Sequence, residues 1–182
     1  IGTNGDINAS GNVTFGAAKT GTLTTGGNVT TSNDNITFTR AVTLAGGNVA
    51  LDTTGASAGN ILFSSTVATG GNNLTLDAGT AGNITLAGAL TGGGALVVTD
   101  GNIQAYGILT VGSLTISDAT TSIVLAGAIT SGAAINLDSG GSIALNAAIA
   151  NATTVDIDAT GVTTIGTNGD INASGNVTFG AA

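Results

Sequence analysis

The chain has 182 residues, 31 of them Gly, a hydrophobic fraction of 42% and a formal charge of −8, carried by ten Asp against Lys19 and Arg40. Pro, Cys, Met, Trp, His and Glu are absent, which excludes a disulfide framework and thiolate metal sites. Two bases supply neither the phosphate neutralisation of a nucleic-acid binder nor the basic patch that docks on an anionic membrane.

The apolar content is too high for a disordered Gly/Ser/Thr segment, and no apolar run approaches the roughly eighteen residues of a transmembrane helix. Residues 1–18 recur unchanged at 165–182, so the chain holds one 164-residue period (1–164) and the opening of the next. Long tandem identity marks an architecture that extends rather than closes.

A shorter period runs inside the long one. Pairs of large aliphatic residues two apart begin at Val13, Val29, Val49, Leu74, Leu96, Leu114, Ile135, Val155 and Val177, and the eight intervals between them together make up the long period. A second alternation follows at Ile36/Phe38, Ile61/Phe63, Ile84/Leu86, Ile103/Ala105, Ile123/Leu125 and Ile143/Leu145. A third apolar anchor comes next, at Val42, Val67, Leu90, Leu109, Ile129 and Ile149. Alternation of period two predicts strands with one buried face, and the Gly, Asn, Ser and Asp clusters between them supply turns.

Three strands per repeat, recurring in register, predict an all-β parallel β-helix (β-solenoid) of about 20 residues per coil and about nine coils, continuous over 1–182. Eight coils are expected per long repeat. An antiparallel sandwich also spaces strands by about 8–12 residues, but gives no reason for the same three-anchor grammar to recur. The missing prolines fit, because each mid-strand N–H must donate to the adjacent coil. Phe38, Phe63, Leu86, Ala105, Leu125 and Leu145 are predicted to form one interior column, with Phe38 and Phe63 in an aromatic stack. The chain opens with neither Met nor a signal peptide, and neither end carries a capping helix or a charged edge. The coil is therefore expected to continue in both directions and an isolated piece to polymerise end to end.

The phrases GNITLAGALTGGG, AINLDSGGSIAL and NLTLDAG resemble the repeats of large secreted bacterial β-helix proteins, in particular filamentous-haemagglutinin-like adhesins and the two-partner-secretion exoproteins among them. The resemblance covers essentially the whole chain and rests on aliphatic alternation with Gly, Asn and Asp. It implies an extracellular or cell-surface, rod-like, right-handed β-helix used in attachment or matrix building. It carries over no functional residue, and the family's secretion signal and N-terminal cap are not among these residues.

Asp52, Asp77, Asp100, Asp118, Asp138 and Asp158 each follow the first strand of a coil. Stacked carboxylates repel, and a hard cation such as Ca²⁺ would relieve them. The alternative is that each is a turn residue accepting from nearby backbone N–H groups. The offset from the strand start is not constant and the calcium nonapeptide is missing, which favours turns, so no cofactor is expected. Asn12, Asn28, Asn48, Asn60, Asn83 and Asn102 precede strands, either as amide ladders between coils or, the favoured reading, for their tolerance of left-handed turns. Glycosylation patterns at Asn12, Asn28, Asn35, Asn73 and Asn83 arise freely in a chain this rich in Asn and Thr.

An ice-binding solenoid needs an unbroken outward Thr column, and the first-strand row reads Thr14, Thr30, Ala50, Thr75, Val97, Thr115, Asn136, Asp156. Catalysis is not expected, for there is no His or Glu, and Asp156 and Asp158 alternate with inward Ile157 as two outward surface carboxylates. The outward row of the second strand, Thr37, Leu62, Thr85, Gln104, Val124 and Ala144, carries no charge and is the expected lateral contact face. The favoured function is a structural segment of an extracellular filament whose partners are copies of itself, end to end and laterally. The alternative is an adhesin module that binds carbohydrate or protein side-on, for which the long turn between Leu51 and Ile61 is the one hint of an insertion.

Overall fold

The computed structural model describes residues 2, 5–16, 20–55, 58–119 and 122–180, and the side chains of Asp118 and Ala119 lie outside the described part. Lys19 lies outside it as well. Among the described residues there is no helix; 25 strands of two to six residues follow one another. They form three parallel sheets of nine, eight and eight strands, in which each strand pairs with the strands three before and three after it in sequence. That is the wiring of a β-solenoid, with about eight turns of about 21 residues.

Alternation drives the winding. Most strands turn alternate apolar residues inward, as in Leu74–Asp77, where Leu74 and Leu76 are buried and Thr75 and Asp77 half-buried. Sheet 1 contributes Leu74/Leu76, Leu96/Val98 and Leu114/Ile116 to the interior; sheet 2 contributes Ile84/Leu86 and Ile123/Leu125; sheet 3 contributes Leu90, Leu109 and Ile129. Buried on one side and hydrogen-bonded along both edges, such strands favour Val, Ile and Leu. The predicted interior column is present: Phe38 faces Phe63, then Leu86, Ala105, Leu125 and Leu145 in register. Phe38 and Phe63 stack with centroids 4.6 Å apart and planes inclined by 4°.

Phe15 extends the stack, 4.7 Å from Phe38 and inclined by 12°, and this overturns one expectation. Val13–Phe15 does not open a first strand; Val13 pairs with Ile36 on sheet 2. The first strand of that turn is Ile7–Ala9, paired with Val29–Thr31, and the third is Leu23–Thr25, paired with Val42–Leu44. The short interval from Val13 to Val29 thus spans two-thirds of a turn. In the second copy of the block, Ile171 pairs with Ile149 on sheet 3 and Val177 with Val155 on sheet 1. Identical sequence sits on different sheets at the two ends. Among the described residues the 164-residue period contains 23 strands, or seven and two-thirds turns in place of the eight that spacing suggests.

Polar residues enter the interior only at corners. Thr25, Thr31, Thr53, Thr69, Ser131 and Ser139 are buried, and hydroxyls among them bond backbone groups of the turns. Thr31 Oγ1 donates to the Asp34 carbonyl at 2.5 Å, Thr53 Oγ1 to Gly59 at 3.0 Å, and Thr69 Oγ1 accepts from Gly94 N–H at 3.1 Å. No buried side-chain N or O lacks a partner among the described residues, as a low-dielectric interior requires. In the long turn after Leu51, Thr53 folds inward while Thr54 and Gly55 are exposed, and residues 56 and 57 lie outside the described part.

Candidate functional site

The surface of this rod is a set of rows, each one residue per turn at about 4.8 Å spacing. Sheet 2 presents Thr14, Thr37, Leu62, Thr85, Gln104, Val124, Ala144 and Thr164 outward in unbroken register. The expected lateral residues Leu62, Thr85, Gln104, Val124 and Ala144 are all half-buried by their neighbours along the row, and the row is uncharged. Beside it, Tyr106 and Ile108 are each 53% exposed, and the Tyr106 hydroxyl donates to Gln104 Oε1 at 2.8 Å. Sequence patterning does not reveal this apolar shoulder, because both residues fall between strand alternations.

The acids gather on sheet 1 and its trailing corner. Asp52 faces Asp77 and Asp77 faces Asp100 across neighbouring turns, and Asp138 faces Asp158. Asp52 Oδ1 accepts from Thr54 N–H at 2.7 Å and from Thr54 Oγ1 at 2.6 Å. Asp77 Oδ1 accepts from Gly79 N–H at 3.0 Å, and its Oδ2 from Thr99 Oγ1 at 2.9 Å. Asp100 Oδ1 accepts from Gly101 N–H at 2.8 Å. Each of these carboxylates accepts from a donor of its own turn, as turn-forming Asp residues do. Among the described residues no three carboxylates converge on one point. Asp156 and Asp158 point outward on either side of buried Ile157, and among the described residues no pocket forms.

The asparagines behave differently from the favoured expectation. Left-handed backbone occurs outside Gly only at Asn33 and Asn151 among the described residues, so Asn12, Asn28, Asn48, Asn60, Asn83 and Asn102 are not in the chain for turn tolerance. They form ladders. At the corner between sheets 1 and 2, Asn12 Oδ1 accepts from Asn35 N–H at 2.8 Å, Asn35 Oδ1 from Asn60 at 2.8 Å and Asn60 Oδ1 from Asn83 at 2.9 Å. At the corner between sheets 3 and 1, Asn28 Oδ1 accepts from Ala50 N–H at 2.8 Å and Asn48 Oδ1 from Asn73 N–H at 2.8 Å. Each amide oxygen thus satisfies an N–H at the start of the next turn's strand, a bond no strand partner supplies at a corner. The sequence signal is the register of Asn one turn apart.

At the third corner Arg40 reaches back one turn, donating from Nε to the Gly21 carbonyl at 2.7 Å and from Nη2 to Thr20 at 2.9 Å. Further along this corner glycines stack: a Cβ at Gly107 would run into the Gly88 carbonyl, and one at Gly127 into the Gly107 carbonyl.

The first-sheet row considered for ice binding is interrupted as expected, with Thr30 facing Asp52 and Thr115 facing Asn136. Thr14 does not belong to it, being on sheet 2 with Thr37. Sheet 3 carries the more regular row, in which Thr24 faces Thr43, Thr43 faces Ala68, and Thr110 faces Thr130. It is a single file broken by Ala68 and Ala150. No protein-family model, curated protein or solved structure gives a significant match to the chain.

Proposed function

We propose that this chain is a non-catalytic structural segment of an extracellular or cell-surface filament, built to give length and stiffness to a fibre, matrix or adhesive stalk. The observation that carries this reading is the unbroken parallel pairing of three sheets along the described chain, combined with the return of the opening block 1–18 at 165–182. Such an object grows by adding turns, and its length scales with repeat number. The partners in this reading are further copies of the chain, stacked end to end through strand edges and packed sideways through the uncharged row of sheet 2. The test is electron microscopy of intact producing cells labelled with an antibody to the repeat. Periodic label along thin fibres is expected; diffuse or soluble label would refute the filament.

The exposed Tyr106 and Ile108 beside the uncharged row favour one second reading, a module that binds carbohydrate or protein side-on. Aromatic faces exposed next to neutral polar side chains suit sugar rings. A glycan array probed with the isolated rod separates the two, and loss of a hit in Tyr106→Ala would identify the binding row.

A further inference from the structure

We infer that the surface of the rod advances by one sheet with every 164-residue period, so that copies lying side by side meet along a screw-shaped seam and wind into twisted ropes. The inference rests on the filament reading above. Its source is the placement of the identical blocks: Ile7 lies on sheet 1 but Ile171 on sheet 3, and Val13 on sheet 2 but Val177 on sheet 1. A period of 23 strands is one short of eight complete three-strand turns.

In a chain that repeats the period in tandem, the next copy of Leu23–Thr25 follows Val177–Gly180 onto sheet 2, where the first copy occupies sheet 3. Phase is restored only by a turn with two strands. Such a turn leaves one side of the interior open, exposing inward apolar residues and stranding a row of backbone N–H and C=O groups, and both are costly. Three-strand turns run without exception through the described residues. The slip is therefore the favoured continuation.

The functional consequence concerns charge. The Asp row of sheet 1 reappears on sheet 3 one period later, then on sheet 2, and returns after three periods, about 110 Å of rod at ~4.8 Å per turn. No neutral face runs straight along the fibre. Two rods that bury neutral rows and keep their carboxylates in water must follow the turning face. Only a partner with the same pitch does so throughout, and that partner is a second copy of this chain.

The phase is read by engineered thiols, since the chain has no Cys of its own. Facing residues on neighbouring parallel strands lie about 4.8 Å apart, within disulfide reach. With oxidised glutathione, T14C/T37C and D156C/T178C are each expected to close a disulfide bond, while T14C/T30C stays reduced. That result puts Thr14 on sheet 2 and its exact copy, Thr178, on sheet 1. Closure in T14C/T30C, or free thiols in T14C/T37C beside a closed D156C/T178C, overturns the slip. For a three-period chain, cryo-electron microscopy is expected to show ropes that complete one full rotation in about 110 Å of rod, with crossovers about every 55 Å; flat ribbons overturn the seam. The thiol result is independent of whether cells carry fibres, so failure of the filament reading and failure of the slip are distinguished.

Discussion

Asn60 donates twice to a single oxygen of Asn35, through its backbone N–H at 2.8 Å and its side-chain Nδ2 at 3.1 Å. Its own Oδ1 then receives the same pair of bonds from Asn83, at 2.9 and 3.0 Å. Each rung of this ladder fixes the corner of the next turn, so the turns enter sheet 2 in one register. Asn60→Ala removes the donor below and the acceptor above. A loss of about 0.5–1.5 kcal/mol is expected, since these bonds lie at an exposed corner where water replaces them in part, measured as a lower urea midpoint with an unchanged m-value. Asn60→Asp keeps the acceptor and loses the side-chain donor, and its loss is expected to be smaller.

Phe63 lies between Phe38 and Leu86 in the interior column and is 2% exposed. Phe63→Ala opens a cavity that stacked backbones cannot collapse, at a cost of about 3–5 kcal/mol. Because each turn touches only its neighbours, hydrogen exchange is expected to accelerate in the two or so turns on either side and to stay unchanged beyond Ile129. Uniform acceleration along the chain would contradict this local response.

Two glycines make a controlled pair. A methyl at Gly107 meets the Gly88 carbonyl, whereas at Gly132 the nearest atom, the Gly112 carbonyl oxygen, is 3.8 Å away. Gly107→Ala is expected to lower stability by about 1–3 kcal/mol through overpacking, and Gly132→Ala to stay within about 0.5 kcal/mol of the parent. Thermal melts of the two variants check the contrast.

Asp52, Asp77 and Asp100 each accept a bond from a donor in their own turn, and a turn role predicts no response to calcium. The thermal midpoint is expected to be the same in EDTA and in millimolar Ca²⁺. A rise of several degrees with calcium, lost in Asp77→Asn, would restore the metal column.

Side-to-side association through sheet 2 predicts that Thr85→Lys with Val124→Lys thins bundles, since buried like charges along a facing row repel. Bundle width by negative-stain microscopy is the readout, and unchanged width would remove sheet 2 from the contact.

The winding is legible in the sequence because inward residues alternate strictly: Ile84/Leu86 and Ile123/Leu125 reveal a buried face without any neighbour in view. Phase is harder to read. Leu23–Thr25 carries a single aliphatic residue and is hidden beside the stronger Val13/Phe15 and Val29 signals, so spacing alone starts that turn from the wrong strand. The asparagine ladders are concealed for a related reason. A side chain in sequence has no partner until the turn above is placed, and the distance from Asn35 to Asn60 becomes one rung only once the 25-residue interval is known to be one circuit. The acids are easier, since Asp52–Thr54 and Asp77–Gly79 are bonded two residues apart and local spacing alone encodes the turn.

The inter-turn hydrogen bonds of all three sheets lie along the axis of the rod, while the covalent chain runs around it. Tension on the ends is therefore borne first by those bonds, one turn at a time. A turn occupies about 4.8 Å of axis, yet its roughly 21 residues reach about 70 Å when drawn straight. Each turn that yields lengthens the molecule about fifteenfold over that stretch and leaves its neighbours wound. In the proposed filament, load is therefore expected to release slack turn by turn, with recoil as the edges pair again.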